Sequence, residues 1–281
     1  MIRLQNEKLC VSIAERGAEI VSVKNAAGYE YIWQADPAFW AKHCPVLFPV
    51  CGRLRNFEYT YRGKWYKMGN HGFAQRKIFT AKQEGDSALF VLREDEETLA
   101  EYPFRFELCI RYTLEGDTVH ADVSVFNPDG QPLYCNFGSH EAYAAQNFSE
   151  WAVRFEKEED LVLSEQAGGY LSGEKIPYAQ KVRTLPLSRE MFENDSLLFD
   201  GLRSRRITLL HGEKEVVTVD FAPFDHLLLW TKPGAPYLCI EPWNGLPDSA
   251  DSDGDLSRKA DILCVGAGQE IKMRHSITFH A

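Results

Sequence analysis

The stretch FELCIRYTLEGDTVHADVSVF, residues 106–126, decides the fold class of this chain. Its apolar residues recur at every second position on both sides of Glu115-Gly116-Asp117. A period of two is typical of half-buried strands in an antiparallel sheet, because successive side chains of a strand point to opposite faces. The polar triplet between the two runs predicts a tight hairpin turn.

The same alternation returns at residues 271–279, and helical periodicity is sparse. Only residues 94–101, before Pro103, predict a short helix. Many strands without alternating helices predict an all-β fold, a large antiparallel β-sandwich of two large sheets. No linker divides the chain, so we expect residues 1–281 to form a single domain. Further strands are predicted at residues 9–13, 19–24, 87–92, 133–137, 151–155, 207–210, 216–220, 227–231 and 237–240.

Residues 164–195 have weak periodicity. A long irregular segment in a compact domain is usually a functional or a mobile loop, and we expect one here.

Composition excludes several classes of protein. The 281 residues carry a net charge of −10 and no basic block, which disfavours binding to a phosphate backbone, so no nucleic-acid partner is expected. No apolar run approaches the roughly 20 residues that span a bilayer, and the charged N-terminal stretch lacks the apolar core of a signal peptide. We therefore expect a cytoplasmic protein without a membrane partner.

Seven cysteines, an odd number without a CxxC pair, indicate reduced thiols. Five of them lie in apolar or alternating runs and are expected to be small buried residues: Cys10, Cys109, Cys135, Cys239 and Cys264. Cys51 is either a reactive thiol of low pKa beside Gly52-Arg53 or an inert buried cysteine, and the second interpretation is favoured.

Three segments concentrate polar side chains among glycines, which permit close approach of a ligand. These segments are 52–54 with 70–74, 136–143, and 240–245. His71 and His140, each taken alone, fit ordinary turn or core histidines. Glu241 follows an apolar strand and precedes Pro242-Trp243, a setting that raises a carboxyl pKa unless a cation offsets it. A structural ion pair between Glu241 and an arginine is the alternative.

Other motifs fail on inspection. The sequence has no GxSxG elbow, no GxxxxGK[ST] loop and no GxGxxG pattern, which disfavours acyl transfer and nucleotide binding. The spacing of Asp251, Asp253 and Asp255 matches the start of a calcium-binding loop, but Leu256 and Ile262 occupy its glycine and glutamate positions. A solvated acidic loop that also includes Asp248 is therefore expected. No metal site is predicted.

Taken together in order, these segments resemble the aldose 1-epimerase (galactose mutarotase-like) family over nearly the whole chain. No single motif is specific, but the ordered set is. The motifs are PVLFPVCGRL at 45–54, HGFA at 71–74, GSHEAY at 138–143, WTKPG at 230–234 and CIEPW at 239–243.

The resemblance implies a large β-sandwich that opens and closes a cyclic sugar without metal or cofactor. Glu241 would be the general base at the C1 hydroxyl and His140 the general acid at the ring oxygen. Arg53 would bind the sugar and help to keep Glu241 ionised. The other residues that the family implies at the sugar are His71, Asp195 (with Asp200 as the alternative), and a stacking aromatic among Trp243, Phe73 and Tyr143.

Two positions depart from the family pattern: Glu141 replaces the proline that often follows the catalytic histidine, and Gln75 precedes Arg76. The leading function is a mutarotase acting on free hexoses such as glucose or galactose, as a monomer or homodimer. A hexose-6-phosphate 1-epimerase is the alternative within the class, with Arg76 or Arg55 at the phosphate. A non-catalytic carbohydrate-binding or sensing protein is the alternative outside it. A glycoside hydrolase is weaker because it needs two carboxylates.

Overall fold

The structure is a computed structural model that describes residues 1–281, and it consists mainly of strands. The strands are β1 (Ile2–Gln5), β2 (Leu9–Ile13), β3 (Ile20–Asn25), β4 (Val46–Leu47), β5 (Glu58–Tyr61), β6 (Lys64–Lys67), β7 (Thr80–Glu84), β8 (Ser87–Arg93), β9 (Glu107–Glu115), β10 (Thr118–Phe126), β11 (Leu133–Cys135), β12 (Gly138–Ser139), β13 (Glu141–Ala144), β14 (Trp151–Ala167), β15 (Tyr170–Pro186), β16 (Leu197–Asp200), β17 (Arg206–His211), β18 (Lys214–Asp220), β19 (His226–Trp230), β20 (Tyr237–Trp243), β21 (Leu263–Val265) and β22 (Glu270–Phe279).

The helical segments are short. One α-helix, α1 (Glu96–Glu101), begins after Asp95, whose side chain accepts from the Thr98 N–H while the Thr98 hydroxyl accepts from the Asp95 N–H. This reciprocal cap explains why the predicted helix forms just before Pro103. No helix is long and apolar enough to cross a membrane. The 3₁₀ turns are Arg55–Phe57, Ala74–Arg76, Phe148–Glu150, Glu190–Phe192 and Leu256–Arg258.

Fifteen strands form one antiparallel sheet in the order β4-β12-β20-β19-β16-β14-β17-β18-β22-β10-β9-β8-β7, with β13 beside β20 and β15 beside β14. A twisted sheet of this size curls, so its two ends become facing layers. The predicted all-β antiparallel class is confirmed. The two large sheets of the prediction are joined into one continuous hydrogen-bonded ladder.

The predicted hairpin of residues 106–126 is confirmed. In β9 and β10 buried and half-buried residues alternate, and Glu115 pairs with Thr118 across a two-residue turn. Gly116 has φ +59°, a left-handed conformation that favours glycine.

The prediction of a loop at 164–195 is wrong for most of its length. Strands β14 and β15 are 17 residues each and pair as a long hairpin that includes several register shifts. Exposed residues predominate in β15. A strand without a buried face leaves no hydrophobic alternation in the sequence, which is why the pattern missed it.

Two further expectations need correction. Cys10 and Cys109 are only half-buried and Cys264 is exposed, whereas Cys51, Cys135 and Cys239 are buried. Asp248 is not part of a solvated loop, because its carboxylate lies 3.0 Å from the Lys259 ammonium and both side chains are buried.

A buried histidine–carboxylate contact joins two strands that lie far apart in the order of the sheet. His275 of β22 lies 2.9 Å from one oxygen of Glu141 on β13, and the Ser139 hydroxyl donates to the other oxygen at 2.8 Å. All three residues are buried. Glu141 therefore makes structural contacts with its carboxylate that a proline at this position could not make.

We predict that Glu141→Ala destabilises the fold by about 3–5 kcal/mol, because it leaves His275 buried without its partner. Chemical denaturation monitored by tryptophan fluorescence measures the change. The matched control is Asp220→Ala, which breaks the exposed ion pair with Arg206 (2.9 Å) and should cost less than about 1 kcal/mol. Equal losses in the two variants would contradict the importance of the buried pair.

Candidate active site

One register places the candidate catalytic residues side by side. Gly138 of β12 pairs with Trp243 of β20, and Glu141 of β13 pairs with Ile240. The same register carried through the gap puts His140 opposite Glu241. Directly opposed residues point to the same face of a sheet, and the His140 Nε2 indeed lies 3.3 Å from the Glu241 Oε2.

Aromatic rings hold the His140 imidazole in place. The Trp40 indole stacks on it at a centroid distance of 4.9 Å, and Trp230 and His71 meet it edge-on at 5.6 Å. Trp230 is opposite Cys239 on β20, so it faces the same side of the sheet as Glu241. These contacts leave the imidazole little rotational freedom.

The His140–Glu241 pair lines a pocket of about 450 Å³. Strands β19 and β20 and the β12–β13 segment provide its floor, and loops provide its walls. Of the predicted residues, the pocket brings together Arg53, His71, His140, Asp195, Glu241 and Trp243. A pocket of this size falls in the usual range for small-molecule sites.

Burial dominates the electrostatics of the pair. It raises the pKa of the Glu241 carboxyl well above its usual value, and the negative charges of Glu141 and Asp195 raise it further. Burial also lowers the pKa of the His140 imidazole well below its usual value. Both residues therefore favour their neutral forms, and the pair together holds one proton.

Glu241 has no arginine partner. Its one ion-pair neighbour is His140, so the alternative of a structural ion pair with arginine is wrong. Arg53 does not hold Glu241 ionised either, because its guanidinium points elsewhere: its Nη1 donates to the Gly168 carbonyl at 2.9 Å.

His71 lies in a strained turn at the edge of the pocket. It has φ +62° and Gly72 has φ +71°, where an added Cβ would lie 2.2 Å from the Phe48 carbonyl oxygen. The Gly52 N–H donates to the His71 Nδ1 at 3.1 Å. Burial lowers the pKa of His71 to about 3. The neutral ring therefore carries its proton on Nε2, which remains free to donate to a ligand.

Arg53 connects the pocket to the tip of the β14–β15 hairpin. Besides bonding to Gly168, its guanidinium lies over the rings of Phe57 (4.9 Å) and Tyr170 (5.8 Å). Its Nε is buried without a hydrogen-bond partner, and the residue lines the pocket. Arg53 thus has one donor that a ligand oxygen could use.

The structure separates the two candidate aspartates. Asp195 lines the pocket, whereas Asp200 pairs with Lys175 at 2.6 Å and does not. Trp243 lies two residues after Glu241 on the same face of β20, and its indole N–H donates to the Ser139 carbonyl at 3.2 Å. It offers an aromatic face to the pocket.

Phe73 and Tyr143 lie outside the pocket, so their expected stacking role is not supported. Phe73 packs in the core against Tyr102 and Phe106. Tyr143 lies three residues after His140, on the opposite face of its strand, and pairs with Leu238 in the core. Successive side chains of a strand point to opposite faces, so a segment that turns His140 toward the pocket turns Tyr143 away from it.

Several pocket residues were missed from the sequence. Two of them, Trp230 and Lys232, belong to the WTKPG motif, which the sequence analysis used only as a mark of the family. Pro45 and Asn70 lie in segments that the sequence analysis named, Gln166 and Leu228 lie on strands β14 and β19, and the others come from loops without a chemical motif. The missed residues are Phe39, Trp40, Lys42, Pro45, Asn70, Gln166, Gly169, Ser196, Leu228, Trp230, Lys232 and Pro247.

Comparison with known proteins shows the fold and the family of this chain. The fold is that of galactose mutarotase-like proteins: a galactose mutarotase related enzyme from Lactobacillus acidophilus is 31% identical, with a TM-score of 0.93 over 100% of this chain and 97% of the other. A galactose mutarotase-like protein from Lactobacillus casei is 28% identical, with a TM-score of 0.94 over both whole chains.

The family model for aldose 1-epimerase matches residues 1–256, and the chain belongs to that family. The resemblance inferred from the motifs is thereby confirmed. Among curated proteins, the plasmid and chromosomal forms of protein LacX from Lactococcus lactis subsp. lactis are 29% and 30% identical. Each alignment covers 99% of this chain and 98% of the relative.

We predict that Arg53→Ala loosens the hairpin tip, because it removes the bond to Gly168 and the contact with Tyr170. Hydrogen exchange at 168–171 should become faster, including the Leu171 amide that donates to the Asp248 carbonyl. Arg55→Ala is the control, since its Nη1 donates to the Ser252 carbonyl instead. Unchanged protection in Arg53→Ala would show that the tip does not depend on this residue.

Proposed function

We propose that this protein is a mutarotase that interconverts the α and β anomers of a hexose. The observation that carries the proposal is the buried contact of 3.3 Å between His140 and Glu241 at a pocket of monosaccharide size. A binding protein needs donors and acceptors for hydroxyl groups. It has no need of two titratable groups whose burial changes both pKa values.

The reaction requires one proton on the pair at every stage. Glu241 takes the proton of the C1 hydroxyl while His140 gives a proton to the ring oxygen, and the bond from C1 to the ring oxygen breaks. The open-chain aldehyde rotates about C1–C2. The reverse transfers then close the ring on the other face of the carbonyl.

Burial favours the ring-opening step. In the closed-ring state the pair must be carboxylate and imidazolium, whereas in the open-chain state it is carboxylic acid and neutral imidazole. The raised pKa of Glu241 and the lowered pKa of His140 both stabilise the second arrangement. The pocket therefore lowers the free energy of the open-chain intermediate relative to the ring.

The remaining pocket residues orient the sugar. The His71 Nε2–H and the Arg53 Nε are donors for ring or hydroxyl oxygens, and Asp195 accepts from a hydroxyl. Trp243 and Trp230 offer apolar faces to the C–H side of the ring. This division of polar and apolar contacts fits a pyranose.

We predict that Glu241→Gln lowers turnover by at least about 10²–10⁴-fold while the affinity for sugar changes only a few-fold, because the amide keeps the shape but cannot accept the proton. Polarimetry of freshly dissolved α-D-glucose and α-D-galactose, with and without protein, measures the rate. His140→Ala should lose turnover similarly.

Asp200→Asn is the matched control, since Asp200 binds Lys175 outside the pocket and its loss should leave the rate within about twofold. If Glu241→Gln turned over sugar at the wild-type rate, Glu241 would not be the general base. Sugar binding without any turnover in the wild type would leave the non-catalytic carbohydrate-binding alternative.

A specific observation favours a second candidate substrate, a hexose 6-phosphate. Lys42, Arg53 and Lys232 line the pocket, and none of them is in an ion pair with a carboxylate. Lys232 instead donates to the Phe39 carbonyl at 2.7 Å, and Lys42 donates to Gln75. Three unpaired cations in a chain of net charge −10 favour an anionic substituent on the sugar.

The arginines proposed from the sequence do not serve this purpose. Arg76 lies 2.9 Å from Glu101, and Arg55 binds the Ser252 carbonyl; neither lines the pocket. Gln75, the departure from the family pattern, instead contacts Lys42 at the pocket wall.

We predict that the double variant Lys42→Met/Lys232→Met raises the KM for glucose 6-phosphate at least tenfold and leaves the KM for glucose within about threefold. Anomer-resolved NMR measures both rates. Lys175→Met, which removes a lysine paired with Asp200, is the control. An equal effect on both sugars would assign the two lysines to pocket structure and not to an anion.

Location and assembly remain proposals. We place the protein in the cytoplasm on the basis of its unpaired cysteines. We propose a monomer or a homodimer, without nucleic-acid partners.

A further inference from the structure

A third side chain completes a cluster of metal-binding groups with the catalytic pair. Cys239 is two residues before Glu241 on β20 and points to the same face of the sheet. One ligand atom each from His140, Cys239 and Glu241 lies within 4.8 Å of the others, and all three residues are buried. The proposed sugar reaction makes no use of the thiol.

The donor set suits zinc. Zn²⁺ takes imidazole nitrogen, thiolate sulfur and carboxylate oxygen at about 2.0–2.3 Å, so neighbouring ligand atoms of a tetrahedral site are about 3.3–3.8 Å apart. The His140–Glu241 contact of 3.3 Å already has this spacing. A side-chain movement of about 1 Å brings Cys239 to the same distance. The fourth position would face the pocket.

The charge balance of this cluster also fits a dication. Cys239 and Glu241 are two buried acids, and no lysine or arginine forms an ion pair with either. A bound divalent cation would compensate both negative charges and displace their protons to solvent.

We propose that His140, Cys239 and Glu241 form a binding site for a thiophilic divalent cation such as Zn²⁺, and that the bound cation inhibits the protein. Coordination occupies the His140 nitrogen and the Glu241 oxygen that transfer protons, and it places the cation where the sugar C1 would lie. Inhibition rests on the proposed mutarotase function, whereas the binding of the cation does not.

Cobalt(II) tests the ligands directly, because a thiolate bound to Co²⁺ gives an intense charge-transfer absorption band. Chelator-treated protein titrated with Co²⁺ should develop this band with one cation per chain, and Zn²⁺ should displace it. Cys239→Ser should abolish the band and weaken Zn²⁺ binding at least tenfold in a competition assay with a fluorescent chelator.

Two other cysteines provide matched controls. Cys264→Ser removes the exposed thiol, and Cys51→Ser removes a buried thiol that contacts the Trp243 cluster. Both should keep the band. If Cys239→Ser fails to fold, Cys239→Ala replaces it. His140→Ala gives an independent measurement, since it should lose the band that the wild type shows. A missing band in the wild type, or a band that survives in the Cys239 variants, would overturn the site.

Turnover separates this inference from the proposed function. Zn²⁺ should stop sugar interconversion in the wild type, and a chelator should restore it. Cobalt binding through Cys239 in a protein that turns over no sugar would support the metal site and refute the mutarotase. Turnover that persists with the site saturated by Zn²⁺ would refute the inhibition.

Discussion

The site depends on one constraint, the antiparallel register that sets His140 opposite Glu241. Hydrogen bonds of β12 and β13 to β20 fix that register on both sides of His140. A slip of one residue would turn every side chain of these strands to the other face. The 3.3 Å contact of the pair is therefore a property of the backbone ladder more than of the loops around it.

The same register assigns the neighbours of the pair. Pocket and core faces alternate along each strand, so His140 and Glu241 face the pocket while Glu141 and Tyr143 face the interior. Glu141 then meets His275 from the opposite layer. The β12–β13 segment thus provides both a pocket residue and the histidine–carboxylate contact that ties this segment to β22.

The loops give the pocket its chemical character. Three cations line the pocket together with the buried Glu241 and the exposed Asp195, and the indoles of Trp40 and Trp230 enclose the imidazole. In this setting polar groups are strongly desolvated, which raises the pKa of Glu241 and lowers the pKa of His140, so that both side chains favour their uncharged forms. The hairpin tip, held by Arg53, closes one wall.

Period-two alternation in the sequence determined the antiparallel class, the β9–β10 hairpin and most strands, because a buried face leaves an apolar pattern. Short motifs identified the family, and six of the residues that they predicted for the site line the pocket, His140 and Glu241 among them. Tertiary structure alone decided strand β15, whose mostly exposed residues leave no pattern, and the extension of β14 beyond the predicted residues 151–155; it alone excluded Phe73 from the pocket. It alone placed Lys42 and Trp40 beside His140, since the loop between β3 and β4 has no sequence pattern that predicts the residues against which it packs.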